Sequence, residues 1–160
     1  MKTLIVYYSL TGNNRKIAEL LAKELSADIE EVKTVETLDL KNGLSMAKLA
    51  LGAWLGKTPV IREASHKPSE YELLILGAPV WAGKLSSPMK AYMLENSATF
   101  PEKTALYVCC GGPKGDAAVD EMKKYSGKTP AATIVIREEK VKTGSYEANA
   151  LEFASQLKKQ

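Results

Sequence analysis

The stretch from Thr3 to Glu24, TLIVYYSLTGNNRKIAELLAKE, limits what this chain can fold into more than any other. Leu4, Ile5, Val6, Tyr7 and Tyr8 form a short apolar run rich in β-formers, the pattern of a strand buried on both faces. The run stops at Ser9, and a six-residue turn follows, Ser9-Leu10-Thr11-Gly12-Asn13-Asn14. Ile17, Leu20, Leu21, Ala22 and Leu25 then recur at helical spacing. Strand, small polar loop and helix make a geometry that binds phosphate. The first N–H groups of a helix have no partner within it, and its dipole places partial positive charge there. Ser9, Thr11, Asn13 and Asn14 add side-chain donors, and Gly12 lets the backbone close around an anion. Turns of this composition also cap helices with no ligand bound, so the stretch alone leaves both readings open.

The rest of the chain repeats the strand–helix alternation. Asp28 to Val35 (DIEEVKTV) reads as a second strand at a sheet edge, where charges blunt unwanted pairing. A long connection, Glu36 to Glu70, contains an amphipathic helix over Leu44 to Leu55. There Ala47, Leu51, Trp54 and Leu55 share a face that is expected to fold back over the domain. A basic helix of this kind also suits a membrane surface or a partner. Tyr71 to Gly77 is a continuously apolar, central third strand, and a helix begins near Ser87-Pro88. Lys103 to Cys110 is the fourth strand, followed by a helix from Asp116 to Tyr125 with Ala117, Val119 and Met122 among charges. Thr129 to Arg137 is the fifth strand. Ser145 to Lys158 is the closing helix, with Tyr146, Ala150, Leu151, Ala154 and Leu157 inward. Such alternation predicts a doubly wound α/β fold, a parallel sheet with helices on both faces.

A chain of 160 residues suits one domain, 1–160, with a core large enough to need no staples. No apolar run approaches the ~20 residues that span a bilayer, and Met1-Lys2 leads straight into the first strand, with no room for a signal peptide. The two cysteines, Cys109 and Cys110, are adjacent and make no disulfide framework. A cytoplasmic location is the expectation. The net charge of +3 does not point to nucleic acid, because Lys and Arg are spread among Asp and Glu.

The loop Thr11-Gly12-Asn13-Asn14, with its strand and helix, resembles the phosphate loop of flavodoxins, whose usual ending is T-G-N-T. Here Asn14 stands where the family's last hydroxyl would be. Gly77 to Pro88 (GAPVWAGKLSSP) resembles the second flavin loop of short flavodoxin-like proteins, and Cys110-Gly111-Gly112 resembles their third. The resemblance spans nearly the whole chain. It implies the order 2-1-3-4-5 that flavodoxin itself typifies, with FMN at the switch point between the first and third strands. It assigns FMN to Ser9, Leu10, Thr11, Gly12, Asn13 and Asn14 in the first loop. In the second it assigns Ala78, Pro79, Val80, Trp81, Ala82 and Gly83, and in the third Cys110, Gly111 and Gly112.

Each of these also has an ordinary reading. Trp81 alone is an ordinary packed aromatic, the glycines alone are turns, and Cys110 is a small buried hydrophobe before it is a redox group. Tyr8 and Tyr107 are expected in or near the core. His66 is expected as a solvated loop residue, without companions at metal-ligand spacing. Three loops with complementary chemistry favour the flavin. No nucleophile with an adjacent base is evident, so the expectation is a flavodoxin-like electron carrier between protein partners, a reductase and an acceptor. The alternative is an FMN-dependent NAD(P)H:quinone-type oxidoreductase. A third reading is a binding module that has kept the fold and lost the flavin. Flavodoxins tend to be acidic, and the basic balance here leaves the partner open.

Overall fold

A computed structural model describes residues 1–36, 47, 51 and 55–159. Its strands are β1 (Thr3–Tyr7), β2 (Asp28–Glu31), β3 (Leu73–Trp81), β4 (Lys84–Leu85), β5 (Lys103–Cys110) and β6 (Ala132–Arg137). Five of them pair in parallel in the order β2-β1-β3-β5-β6, and β4 turns back antiparallel on the end of β3. Setting β4 aside, this is the expected order 2-1-3-4-5.

The two faces follow from the period-two alternation of the central strands. Leu4, Val6, Leu74, Leu76, Leu106 and Val108 point to one side, where α2 (Ser87–Asn96) and α3 (Gly115–Ser126) cover them with Met89, Tyr92 and Met122. Ile5, Ile75, Ala105 and Tyr107 point to the other, covered by α1 (Asn13–Leu25) and α5 (Tyr146–Lys158). Ile17 and Leu21 of α1 are fully buried there, and each contributes about 1.5–3 kcal/mol by leaving water. A short helix, α4 (Glu138–Thr143), follows β6 directly and was not foreseen.

Several boundaries differ from expectation. The second strand ends at Glu31, not Val35. Beyond it the chain lies against the returning segment through an isolated antiparallel bridge, Thr34 to Ile61. In α5 the inward residue is Phe153, whereas Leu151 is 42% exposed. Tyr146, Ala150, Phe153, Ala154 and Leu157 keep the spacing of one helix face, and Leu151 sits about 100° round from Ala150. In α3 Ala118, Val119 and Met122 are buried, and Ala117 is exposed. The expected helix over 44–55 lies outside the described residues except for Ala47, Leu51 and Leu55. Those three are exposed. His66 is not a free loop residue: its Nδ1 lies 2.7 Å from Glu30 Oε2, which also accepts from the Ser65 and His66 backbone N–H groups.

One packing contact ties the centre together. A Cβ on Gly77 would lie 2.0 Å from Cζ of Tyr107, its neighbour across β3 and β5. The buried Tyr107 ring has no room to retreat, and its hydroxyl donates to the Asn14 carbonyl at 3.0 Å. Gly77→Ala is therefore expected to cost about 1–3 kcal/mol through overpacking, seen as a lower urea midpoint. Tyr107→Phe, which keeps the ring and loses one hydrogen bond, is expected to cost about 0.5–1.5 kcal/mol.

Candidate functional site

Because β1, β3 and β5 are parallel neighbours, the segments that leave their carboxyl ends emerge side by side. Tyr7 pairs with Gly77, Gly77 with Tyr107, and Pro79 with Cys109. The Tyr8 N–H donates to the Gly77 carbonyl at 3.1 Å, which fixes where the first loop departs.

In that loop Gly12 has φ 89°, a left-handed conformation that glycine adopts without penalty, and the space beyond its Cα is open. Gly12, at the N-cap position of α1, has no side chain to cap the helix. Ser9 Oγ accepts from the Arg15 N–H at 3.3 Å, while among the described residues no hydrogen bond uses the Asn13 or Asn14 N–H. Asn14 is 2% exposed, and its Oδ1 is buried without a partner. An unmade hydrogen bond of this kind costs on the order of 1–3 kcal/mol. A bound group that meets the Asn14 amide, with the amide turned to donate if that group is anionic, would remove this cost. Unpartnered donors, an open glycine and a buried orphan amide fit a phosphate. Ser9, Leu10, Gly12 and Asn13 are partly buried, and Thr11 is exposed.

The second segment is not the open loop expected from sequence. Ala78 to Trp81 continue β3, and Val80 and Trp81 pair with Leu85 and Lys84 in a hairpin. Ala82 (φ 49°) and Gly83 (φ 78°) form its two-residue turn, and positive φ at both is what a type I′ turn requires. Left-handed backbone costs a non-glycine residue roughly 1–2 kcal/mol, a strain characteristic of functional turns. Trp81 is half-buried, edge-on to Tyr8 with ring centroids 5.6 Å apart, so the hairpin tip leans on the first loop's strand. Ala78 is fully buried, Pro79 and Val80 are partly buried, and Gly83 lies against Lys114.

In the third segment Cys110 is buried, with Sγ 3.8 Å from Arg137 Nη1, whereas Gly111 and Gly112 are exposed. The Arg137 guanidinium donates to the Gly112 carbonyl and so braces this loop from the end of β6. Both cysteines are free thiols, and burial, then Glu138 and Cys110, pushes the Cys109 thiol up to about 12. Tyr8 is pushed up to about 12 mainly by burial, with Glu31 adding to it.

The structure thus gathers the three segments at one edge of the sheet, with the side chains of Ala78 and Cys110 turned into the core. Sequence reasoning did not anticipate Arg137, Tyr107 or Lys114, which brace the segments from distant positions. Arg15 also bridges back, donating from Nη2 to both carboxylate oxygens of Glu31 at 2.7 and 2.8 Å.

A family model described as NADPH-dependent FMN reductase matches residues 1–146. The chain belongs to that family. As a member it is an FMN-binding flavoprotein with the flavodoxin-like fold. Among solved structures it is similar to a flavoprotein in complex with FMN from Lactobacillus acidophilus NCFM, at 26% identity and a TM-score of 0.71. That alignment covers 90% of this chain and 98% of the other. Oxidised flavodoxin 1 from Bacillus cereus is 17% identical, with a TM-score of 0.57 over 100% of this chain and 99% of its own. An NADH:FMN oxidoreductase in its apo form is 14% identical, with a TM-score of 0.56 over 99% and 90%. These last two show likeness of fold alone. No curated protein matches the chain. Among the described residues no helix is long and apolar enough to cross a membrane.

The buried Tyr8 phenol and Cys109 thiol carry a pH signature. The unfolded chain releases these protons near the ordinary values of 10.0 and 9.0, and the folded chain holds them to about 12. Over that window the unfolded state binds fewer protons, so stability falls as pH rises. The urea midpoint is expected to be flat from pH 7 to about 8.5 and to decline above it, less steeply in Tyr8→Phe.

Proposed function

We propose that the chain holds FMN across the carboxyl ends of β1, β3 and β5 and acts as an electron carrier between protein partners. The observation that carries this reading is the start of α1, where no hydrogen bond among the described residues uses the Asn13 or Asn14 N–H, open at Gly12 and lined by the orphan Asn14 amide, beside the Trp81 hairpin. In this reading Ser9, Leu10, Thr11, Gly12, Asn13 and Asn14 bind the phosphate through hydroxyls, amides and backbone N–H groups. Ala78, Pro79, Val80, Trp81, Ala82 and Gly83 form one wall for the ring, and the backbone of Cys110, Gly111 and Gly112 forms the other. FMN, when bound, supplies reversible one- and two-electron chemistry. The residues bind it, orient its ring and leave one edge accessible, since Thr11, Ala82, Gly111 and Gly112 are exposed. An accessible edge suits transfer to a redox partner. The single domain over 1–160 belongs to the same proposal.

A second reading is favoured by the family match: an oxidoreductase that takes electrons from NADPH. Two measurements test these assignments. Thr11→Ala is expected to weaken FMN binding about tenfold or more, the loss of one charge-assisted hydrogen bond; unchanged affinity would remove the phosphate assignment. Anaerobically, a carrier stays oxidised with NADPH until a reductase is added, and its potentiometric titration shows two resolved one-electron waves. Rapid bleaching by NADPH alone, with a single two-electron wave, would replace the carrier with the reductase.

A further inference from the structure

Behind the hairpin, between β4, the start of α2 and the flank of α3, lies a second cleft of about 90 Å³ that the flavin site does not use. Lys57, Lys84 and Lys90 line it with Ser87, Glu121 and Tyr125. Among the described residues none of the three lysines has an ion-pair partner, although other lysines of the chain do. Lys90 Nζ lies over the Tyr125 ring, 5.1 Å from its centroid, and its end faces the backbone at Gly56. Three lysines brought to the wall of one small concavity from positions 57, 84 and 90 raise a local positive potential that favours an anion there. One carboxylate faces the same space. Glu121 accepts from the Leu85 N–H at 3.3 Å, so it is directed to the β4 backbone and offsets only part of the charge. Ser87, at the first position of α2, is 4% exposed, and α2 has no side-chain cap.

We propose that this cleft binds a phosphate monoester, such as a phosphoryl group of a nicotinamide dinucleotide phosphate. The lysines are compact, freely rotating point charges of the kind that bind phosphate oxygens. Lys84 is paired in the hairpin with Trp81, so an anion held here lies next to the proposed flavin wall and not on a remote surface. The dinucleotide as the source rests on the reading in which NADPH delivers electrons. The phosphate site itself does not.

The test titrates FMN-loaded protein with 2′-AMP, inorganic phosphate and adenosine by calorimetry, comparing wild type with the Lys84→Gln/Lys90→Gln double variant and with Lys23→Gln on α1. Wild type and Lys23→Gln are expected to bind 2′-AMP alike and adenosine not at all. The double variant is expected to bind 2′-AMP at least ~10-fold more weakly with FMN affinity unchanged, and Glu121→Gln more tightly than wild type. Inorganic phosphate that binds as tightly as 2′-AMP supports the site and names free phosphate as its source. No binding of either phosphate, or equal affinity in the double variant and wild type, overturns the proposal. Flavin bleaching by NADPH, followed in parallel, reports on the electron donor and not on the site.

Discussion

The approach of Tyr107 to Gly77 is the contact on which the site depends. The two residues are paired across the central strands, and the ring occupies the volume that any Cβ at 77 would fill. With that volume free, the Tyr107 hydroxyl reaches the Asn14 carbonyl in the first turn of α1. A buried phenol without a partner would be costly, so this hydrogen bond draws the helix start toward the sheet. It is a link between β5, β3 and the β1–α1 loop that no local propensity supplies. Gly77 is thus a packing requirement, not a turn.

Around that contact, strain and incomplete hydrogen bonding gather at one end of the sheet. The core strands are apolar and registered without interruption, whereas their carboxyl ends carry a left-handed Ala82, a glycine at the N-cap of α1 and a buried amide oxygen with no donor among the described residues. Departures from local rules are expected where a structure is organised for binding, because the ligand completes what the protein leaves open. Arg137 and Trp81 limit the cost by fixing the loops from outside: one donates to the Gly112 carbonyl, the other packs on Tyr8. The basic balance of the chain also acquires a location, since Lys84 and Lys114 lie at the hairpin, while Arg15 and His66 are engaged with Glu31 and Glu30.

Much of this was legible in the sequence. The apolar run at 4–8, the Ser9–Asn14 turn and the periodic helix after it are local signals, and β5 spans the same residues as expected from its apolar composition. The order of strands and the identity of the flavin came through resemblance; the sheet agrees with the first and the family match with the second. Less legible were features that depend on neighbours. Ala82-Gly83 lacks the Asn-Gly signature of a two-residue hairpin, so the segment read as a loop. Leu151 and Phe153 are equally apolar, and only the position of α5 against the sheet selects Phe153 for burial. His66 meets a carboxylate 36 residues away, a pairing no window of sequence contains.

The sequence by itself determined the alternation of strand and helix, the continuously apolar central strands and the phosphate-suited chemistry of the first loop. Each is encoded within a few neighbouring residues through period, propensity and donor type. Tertiary structure alone decided which side chains meet: Tyr107 over Gly77, Trp81 against Tyr8, Arg137 beneath Gly112, and three lysines around one cleft. The physical reason is that these contacts join residues far apart in the chain. Their energies depend on the register of the parallel sheet and the placement of helices on its two faces, which exist only once the chain has folded.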